Sequence, residues 1–162
     1  MRVLFMCTAN SCRSILSEAM FNHLAPQGFE AVSAGSFPKG QVLPRSLTTL
    51  QEAGISIAGL SSKGNDAFED NPPDIVITVC DKAAGEACPV YFGPALKAHW
   101  GLEDPSEVSG DEVAIHAAFH ATLARIETRC RAFLALPFAR LDRDALKHEL
   151  DPQGILAPGN VL

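Results

Sequence analysis

The sequence predicts an α/β fold, a four-stranded parallel sheet with helices on both faces in three layers. Two segments, Arg2–Met6 and Asp74–Val79, are apolar nearly throughout and read as strands buried on both faces, because a half-exposed strand would alternate with polar residues. Segments of helical period separate the strand candidates, as crossovers between parallel strands require. A long segment, Asp111–Leu136, carries apolar residues at helical spacing.

In chain order, Arg2–Met6 is the first strand. Arg13 to Leu24 repeats Ile15, Leu16, Ala19 and Met20 at helical spacing, and Pro26 and Gly28 end that helix. Phe29–Ser33 is a short second strand closed by Ala34-Gly35, and Arg45–Ala53 is a helix stopped by Gly54. Asn65–Glu69 is a short helix, and Asn71-Pro72-Pro73 breaks the chain. The β-formers Ile75, Val76, Ile77, Thr78 and Val79 make the third strand, ending at Cys80, and Lys97–Leu102 is the fourth. Along the Asp111–Leu136 helix, Val113, Ala117, Leu123, Ile126, Cys130 and Leu134 are expected to share the buried face. Leu141–Leu150 forms a closing helix, and the tail from Asp151 is loose. The chain thus divides into a main α/β unit, 1–140, and a short C-terminal helix with its tail, 141–162.

At 162 residues with 47% hydrophobic and 20% charged residues, the composition is that of a globular domain. A formal net charge of -6 without a basic run argues against nucleic acid or an anionic membrane as partner. No apolar stretch reaches the length of a membrane span, and the first residues do not read as an export signal. Five irregularly placed cysteines then suit a reducing compartment, so the expected location is the cytoplasm.

The chemistry concentrates where the first strand meets the first helix, at Cys7-Thr8-Ala9-Asn10-Ser11-Cys12-Arg13-Ser14. A tight turn into a helix N-terminus leaves backbone N–H groups facing the loop, and the helix dipole favours an anion there. Arg13 adds a planar fork that matches two oxygens of a tetrahedral oxyanion. The same field favours the thiolate form of Cys7, a nucleophile, and Ser14 is placed to donate to the sulfur. The expected oxyanion cradle is Thr8, Ala9, Asn10, Ser11, Cys12, Arg13 and Ser14, with Cys7 at its floor. The plainer alternative is a half-buried structural cysteine beside a surface arginine.

Ligands in such sheets sit beyond the carboxyl ends of the strands, and both Cys7 and Cys80 fall at that edge. Cys88 follows Cys80 by eight positions. A straight helix between them would hold the ends roughly 12 Å apart. A disulfide needs Cα atoms within about 7 Å, so a pairing requires the segment to bend. Spacing alone leaves two readings open, a redox pair or two buried thiols.

The Cys-x5-Arg-Ser pattern, behind an N-terminal strand and opening a helix, resembles the low-molecular-weight protein tyrosine phosphatase superfamily. Cys80, then Cys88-Pro89, then His99-Trp100-Gly101 and Asp104-Pro105 make the chain similar to the thioredoxin-type arsenate reductases built on that fold. The resemblance implies Cys7 as nucleophile, Cys80 and Cys88 as successive resolving thiols, and Asp104 as general acid. It implies arsenate as substrate and thioredoxin, or glutaredoxin with glutathione, as reductant, with no cofactor. Some reductases of this kind hold potassium beside the loop through Asn, Glu, Ser and Asp. The matching positions are Asn10, Glu18, Ser33 and, where the Asp would stand, Lys63, so no potassium dependence is expected.

A phosphotyrosine phosphatase would share Cys7, Arg13, Ser14 and Asp104. Phosphatases of the fold resemble one another in a Pro after the loop and aromatic residues after Asp-Pro, whereas here Ile15 and Ser106-Glu107 occupy those places. A soft-metal binding module on Cys7, Cys80 and Cys88 is chemically reasonable, but the Arg13 field repels cations. Cys12 and Cys130 read as buried small residues. His23, His116, His120 and His148 show no metal spacing with a third ligand, and His99 has no assigned role.

Overall fold

The computed structural model describes residues 1–81, 85, 91 and 93–153. Cys88 and the end of the tail lie outside these residues. The strands are β1 (Arg2–Cys7), β2 (Glu30–Gly35), β3 (Ile75–Thr78) and β4 (Leu96–His99). The helices are α1 (Arg13–Leu24), α2 (Pro44–Glu52), α3 (Glu112–Leu134) and α4 (Arg143–Gln153). Short 3₁₀ turns occupy Asn65–Phe68, Pro105–Glu107 and Phe138–Arg140.

The strands form one parallel sheet in the order β2-β1-β3-β4, with Met6 opposite Thr78 and Cys7 opposite Gly35. Alternate residues of β1 enter two cores, as the two-residue period of a strand demands. Val3 and Phe5 pack with Leu16 and Met20 of α1, Leu50 of α2, Phe133 of α3 and Leu150 of α4. Leu4 and Met6 face the other way, against Val76, with Phe68 of the first 3₁₀ turn and Tyr91 covering them. The run Val3–Met6 is apolar throughout because every residue of it is fully buried.

Element types follow the sequence, and several limits shift. β4 ends at His99, short of Leu102, because the carbonyls beyond it are taken by arginines. Trp100 and Gly101 accept from Arg129, and Leu102 accepts from Arg13. On α3 the buried face is Phe119, Thr122, Leu123, Ile126, Arg129, Cys130 and Phe133. Val113, expected inside, is 76% exposed, and Ala117 is exposed as well. At about 100° per residue both point well away from the Leu123–Ile126–Cys130 line. α4 continues to Gln153, past the expected start of the tail. Its Leu146 and Leu150 belong to the main core, and the Trp100 indole N–H donates to the Leu150 carbonyl at 3.2 Å. No helix among the described residues is long and apolar enough to cross a membrane.

α2 ends as its sequence requires. Gly54 takes a φ of 76°, and Ile55 N–H returns to the Leu50 carbonyl at 2.9 Å, closing the helix. Phe133 sits at the centre of an aromatic cluster with Phe21, Trp100 and Phe138 and is fully buried. Phe133→Ala is therefore expected to cost about 3–5 kcal/mol of stability, measured by urea unfolding.

Candidate active site

Residues 8–12 connect β1 to α1 over the carboxyl edge of the sheet. The loop is held from outside by its carbonyl oxygens. The Cys7, Thr8 and Ala9 carbonyls accept from the N–H groups of Ser36, Phe37 and Lys39 at 3.3, 2.9 and 3.0 Å. The Ser11 carbonyl accepts from Leu43 N–H at 3.0 Å and Ser46 Oγ at 3.1 Å, and the Cys12 carbonyl from Leu16 N–H at 2.8 Å. In a trans peptide the N–H of the next residue points opposite the carbonyl. Outward carbonyls at 7, 8, 9, 11 and 12 therefore turn the amides of Thr8, Ala9, Asn10, Cys12 and Arg13 toward the inside of the turn. α1 adds its N-terminus there, with no side-chain cap and no acidic residue in its first turn.

Asn10 holds the turn's conformation. It is fully buried and adopts a φ of 48°, a left-handed geometry that Asn tolerates better than most residues. Its Nδ2 donates to Ser14 Oγ at 2.8 Å and Ser33 Oγ at 3.0 Å, and its Oδ1 accepts from Lys63 N–H at 2.9 Å. Ser14 Oγ in turn lies 2.9 Å from Cys7 Sγ. Either atom can donate in that contact, and a Cys7 thiolate would accept from the Ser14 hydroxyl. Cys7 is 3% exposed, at the floor of the cradle.

Arg13, also buried, donates to the Leu102 carbonyl at 3.1 Å and lies 3.5 Å from Asp104 Oδ2. The other Asp104 oxygen accepts from Ser106 N–H at 2.9 Å and Ser106 Oγ at 2.6 Å. Asp104 is thus both the cap of its 3₁₀ turn and the carboxylate beside the cradle. Cys80 is buried two residues past β3, on the strand adjacent to β1. Val79 N–H bonds the Met6 carbonyl at 2.9 Å, which carries the register almost to Cys80. The exits of β1, β3 and β4 therefore bring Cys7, Cys80 and the approach to Asp104 to one edge. Cys88 lies outside the described residues.

Arg129 belongs to the site's support and was not singled out in the sequence. From α3 its Nη1 donates to the Trp100 and Gly101 carbonyls at 3.0 and 2.9 Å, fixing the segment that leads to Asp104. Burial lowers its pKa to about 10, so it stays charged at neutral pH. An arginine inside an otherwise apolar helical face was the available signal. His99 Nδ1 lies 2.8 Å from Thr78 Oγ1, a link across β3 and β4. Burial pushes the Cys12 and Cys130 thiols up to about 12, so both keep their protons, as expected of packing residues.

Beside the loop, Glu18 accepts from Ser33 Oγ at 2.6 Å, and Lys63 Nζ stands 3.8 Å from the same carboxylate oxygen. Burial raises the Glu18 carboxyl and lowers the Lys63 ammonium, while the pair's mutual attraction opposes both shifts. These residues do not fit a potassium ion. Asn10 Oδ1 is committed to Lys63 N–H, and the ammonium already neutralises Glu18. His116 and His120 differ from expectation, because the fold supplies them a third neighbour in Glu52 of α2.

Residues 2–148 match the family described as low molecular weight phosphotyrosine protein phosphatase. An arsenate reductase of Bacillus subtilis (strain 168) is 31% identical over 131 residues, 81% of this chain and 93% of that protein. The crystal structure of an arsenate reductase from Archaeoglobus fulgidus DSM 4304 superposes with a TM-score of 0.68 at 28% identity, covering 83% of this chain and 99% of that one. A thioredoxin-dependent arsenate reductase of Corynebacterium glutamicum superposes with a TM-score of 0.56 at 31% identity, covering 77% of this chain and 57% of that one.

Two outcomes test this geometry. A Cβ on Gly35 would stand 2.4 Å from the Thr8 carbonyl oxygen and 2.9 Å from Asn10 N, so Gly35→Ala must displace the loop. Its catalytic rate is expected to fall at least ten-fold in steady-state assays, with the circular dichroism spectrum retained. Activity is expected to be equal in potassium and sodium at fixed ionic strength, whereas a several-fold stimulation by potassium would contradict the Lys63 assignment.

Proposed function

The chain belongs to the low molecular weight phosphotyrosine protein phosphatase family, and from that premise we propose that it is an arsenate reductase using a three-thiol relay. The observation that carries the reading is the turn between β1 and α1, with buried Cys7 beside Ser14 and Arg13 and with Cys80 at the neighbouring strand exit. The relatives named arsenate reductase supply the substrate, and the thioredoxin-dependent one supplies the reductant.

Arsenate enters the cradle with its oxygens on the loop amides and the Arg13 fork, which exchanges Asp104 for the oxyanion. The Cys7 thiolate attacks arsenic and forms a sulfur–arsenic bond. Asp104 gives a proton to the departing hydroxyl, which leaves as water. The Cys80 thiolate then attacks Cys7 sulfur. The sulfur–arsenic bond breaks with its electron pair kept by arsenic, so As(V) becomes As(III) and arsenite departs. Cys88 attacks Cys80 sulfur, releases Cys7 as thiolate and leaves a Cys80–Cys88 disulfide. The dithiol of thioredoxin reduces that disulfide by exchange. The balance is one arsenate and two thiols converted to arsenite, a disulfide and water. Glutathione with glutaredoxin would deliver the same electrons.

Phosphatase chemistry shares the first half of this sequence, because Cys7, Arg13 and Asp104 suit a phosphate ester equally well. What disfavours it here is the sequence around the site, where Ile15 follows Arg13-Ser14 in place of the Pro that phosphatases of the fold share. The chain's one tyrosine, Tyr91, packs on the Leu4–Met6 core, and Ser106-Glu107 follow Asp104-Pro105.

NADPH consumption with arsenate, thioredoxin and thioredoxin reductase tests the relay. Wild-type protein is expected to turn over, Cys7→Ser to be inactive, and Cys88→Ser to stop after a single reduction with a Cys7–Cys80 disulfide detectable by mass spectrometry. Undiminished turnover in Cys88→Ser would remove Cys88 from the relay. Hydrolysis of aryl phosphate without arsenate turnover would return the protein to the phosphatases.

A further inference from the structure

Away from the cradle, Glu52 in the last turn of α2 meets His116 and His120 in the first half of α3. The two imidazoles lie four positions apart on one side of α3, with ring centroids 4.4 Å apart and planes tilted by 38°. His116 Nε2 stands 3.2 Å from Glu52 Oε1 and 3.3 Å from Oε2, and His120 Nε2 stands 3.3 Å from Oε1. All three donor groups lie within 4.8 Å of one another. For ligands about 2.0–2.1 Å from a tetrahedral metal ion, donor atoms sit about 3.3 Å apart, which is the nitrogen–oxygen spacing already present.

From this cluster we propose a binding site for a divalent transition-metal ion of the zinc, cobalt or nickel class, with Glu52, His116 and His120 as ligands and solvent in the remaining position. Two imidazoles and a carboxylate are a borderline donor set that suits these ions rather than calcium or magnesium. The side chains are part-exposed, at 44%, 49% and 32% for Glu52, His116 and His120, so the ion can enter and keep water. The helix supplies a second argument. A carboxylate in the last turn of α2 sits at the negative end of that helix, where a cation is favoured and a carboxylate alone is not.

The site would act as a clamp between two helices. One turn before His116, Glu112 of α3 accepts from Arg45 Nη1 and Nη2 in the first turn of α2, one carboxylate oxygen each. A metal at Glu52 would tie the other end of α2 to the same helix. The first turn of α2 also supplies Ser46, which holds the Ser11 carbonyl of the cradle, so α2 braces the active loop at one end and would be pinned at the other. None of the three ligands belongs to the proposed catalytic set, so the inference stands or falls independently of arsenate chemistry.

The test is cobalt(II) titration of the reduced full-length protein, followed by calorimetry and visible absorption, because thiolate ligation gives an intense charge-transfer band that histidine and carboxylate do not. The expected result is one equivalent bound without that band, a melting temperature raised by cobalt or zinc, and loss of both effects in the double variant His116→Ala/His120→Ala. Glu52→Gln, nearly isosteric, is expected to weaken binding at least ten-fold, and basal activity of both variants is expected to be unchanged. Equal binding by the double variant, binding seen only through the thiolate band, or no binding below 1 mM metal would each overturn the proposal.

Discussion

One buried side chain holds the active loop in its shape. Asn10 takes a left-handed conformation that costs roughly 1 kcal/mol for most residues, and its amide offsets that cost by tying three segments together. Its hydrogen bonds reach Ser14 on α1, Ser33 on β2 and the Lys63 backbone ahead of β3. The turn is thereby fixed before any anion arrives. A cradle that is already assembled avoids paying for ordering on binding, which is how backbone amides become effective oxyanion ligands.

Around that turn the fold separates thiols by environment. Cys12 and Cys130 lie in apolar packing and stay protonated, their thiols pushed up to about 12 by burial. Cys7 is equally enclosed, yet it faces Ser14 Oγ and the open N-terminus of α1. Arg13 shares its charge between a backbone carbonyl and Asp104, which sets a guanidinium and a carboxyl group side by side at the loop. Lys63 gives Glu18 a counter-charge from within the chain, at 3.8 Å.

The strand-to-helix turn was readable because its parts are contiguous: eight residues, Cys7 to Ser14, contain the proposed nucleophile, the arginine and the helix start. The sheet was readable for a related reason, since fully buried parallel strands leave unbroken apolar runs such as Val3–Met6. Features built from distant residues were not. Glu52 meets His116 across 64 positions, and no local spacing on either helix announces the partner. Arg129 was passed over because its neighbours Ile126, Cys130 and Phe133 define an apolar face, and only the carbonyls of Trp100 and Gly101 explain a charge inside it. Val113 was misplaced because it lies on another side of α3 from the Leu123–Ile126–Cys130 line, while Ile115 two positions on packs against the core.

The central claim is that the loop is a preassembled oxyanion site whose shape depends on Asn10. It is tested most directly by calorimetric titration of arsenate into Cys7→Ser protein, where binding is seen without chemistry, and into the same protein carrying Asn10→Ala. The account predicts measurable 1:1 binding to the first and at least ten-fold weaker binding to the second, with both folded. Equal affinity in the two proteins would contradict it.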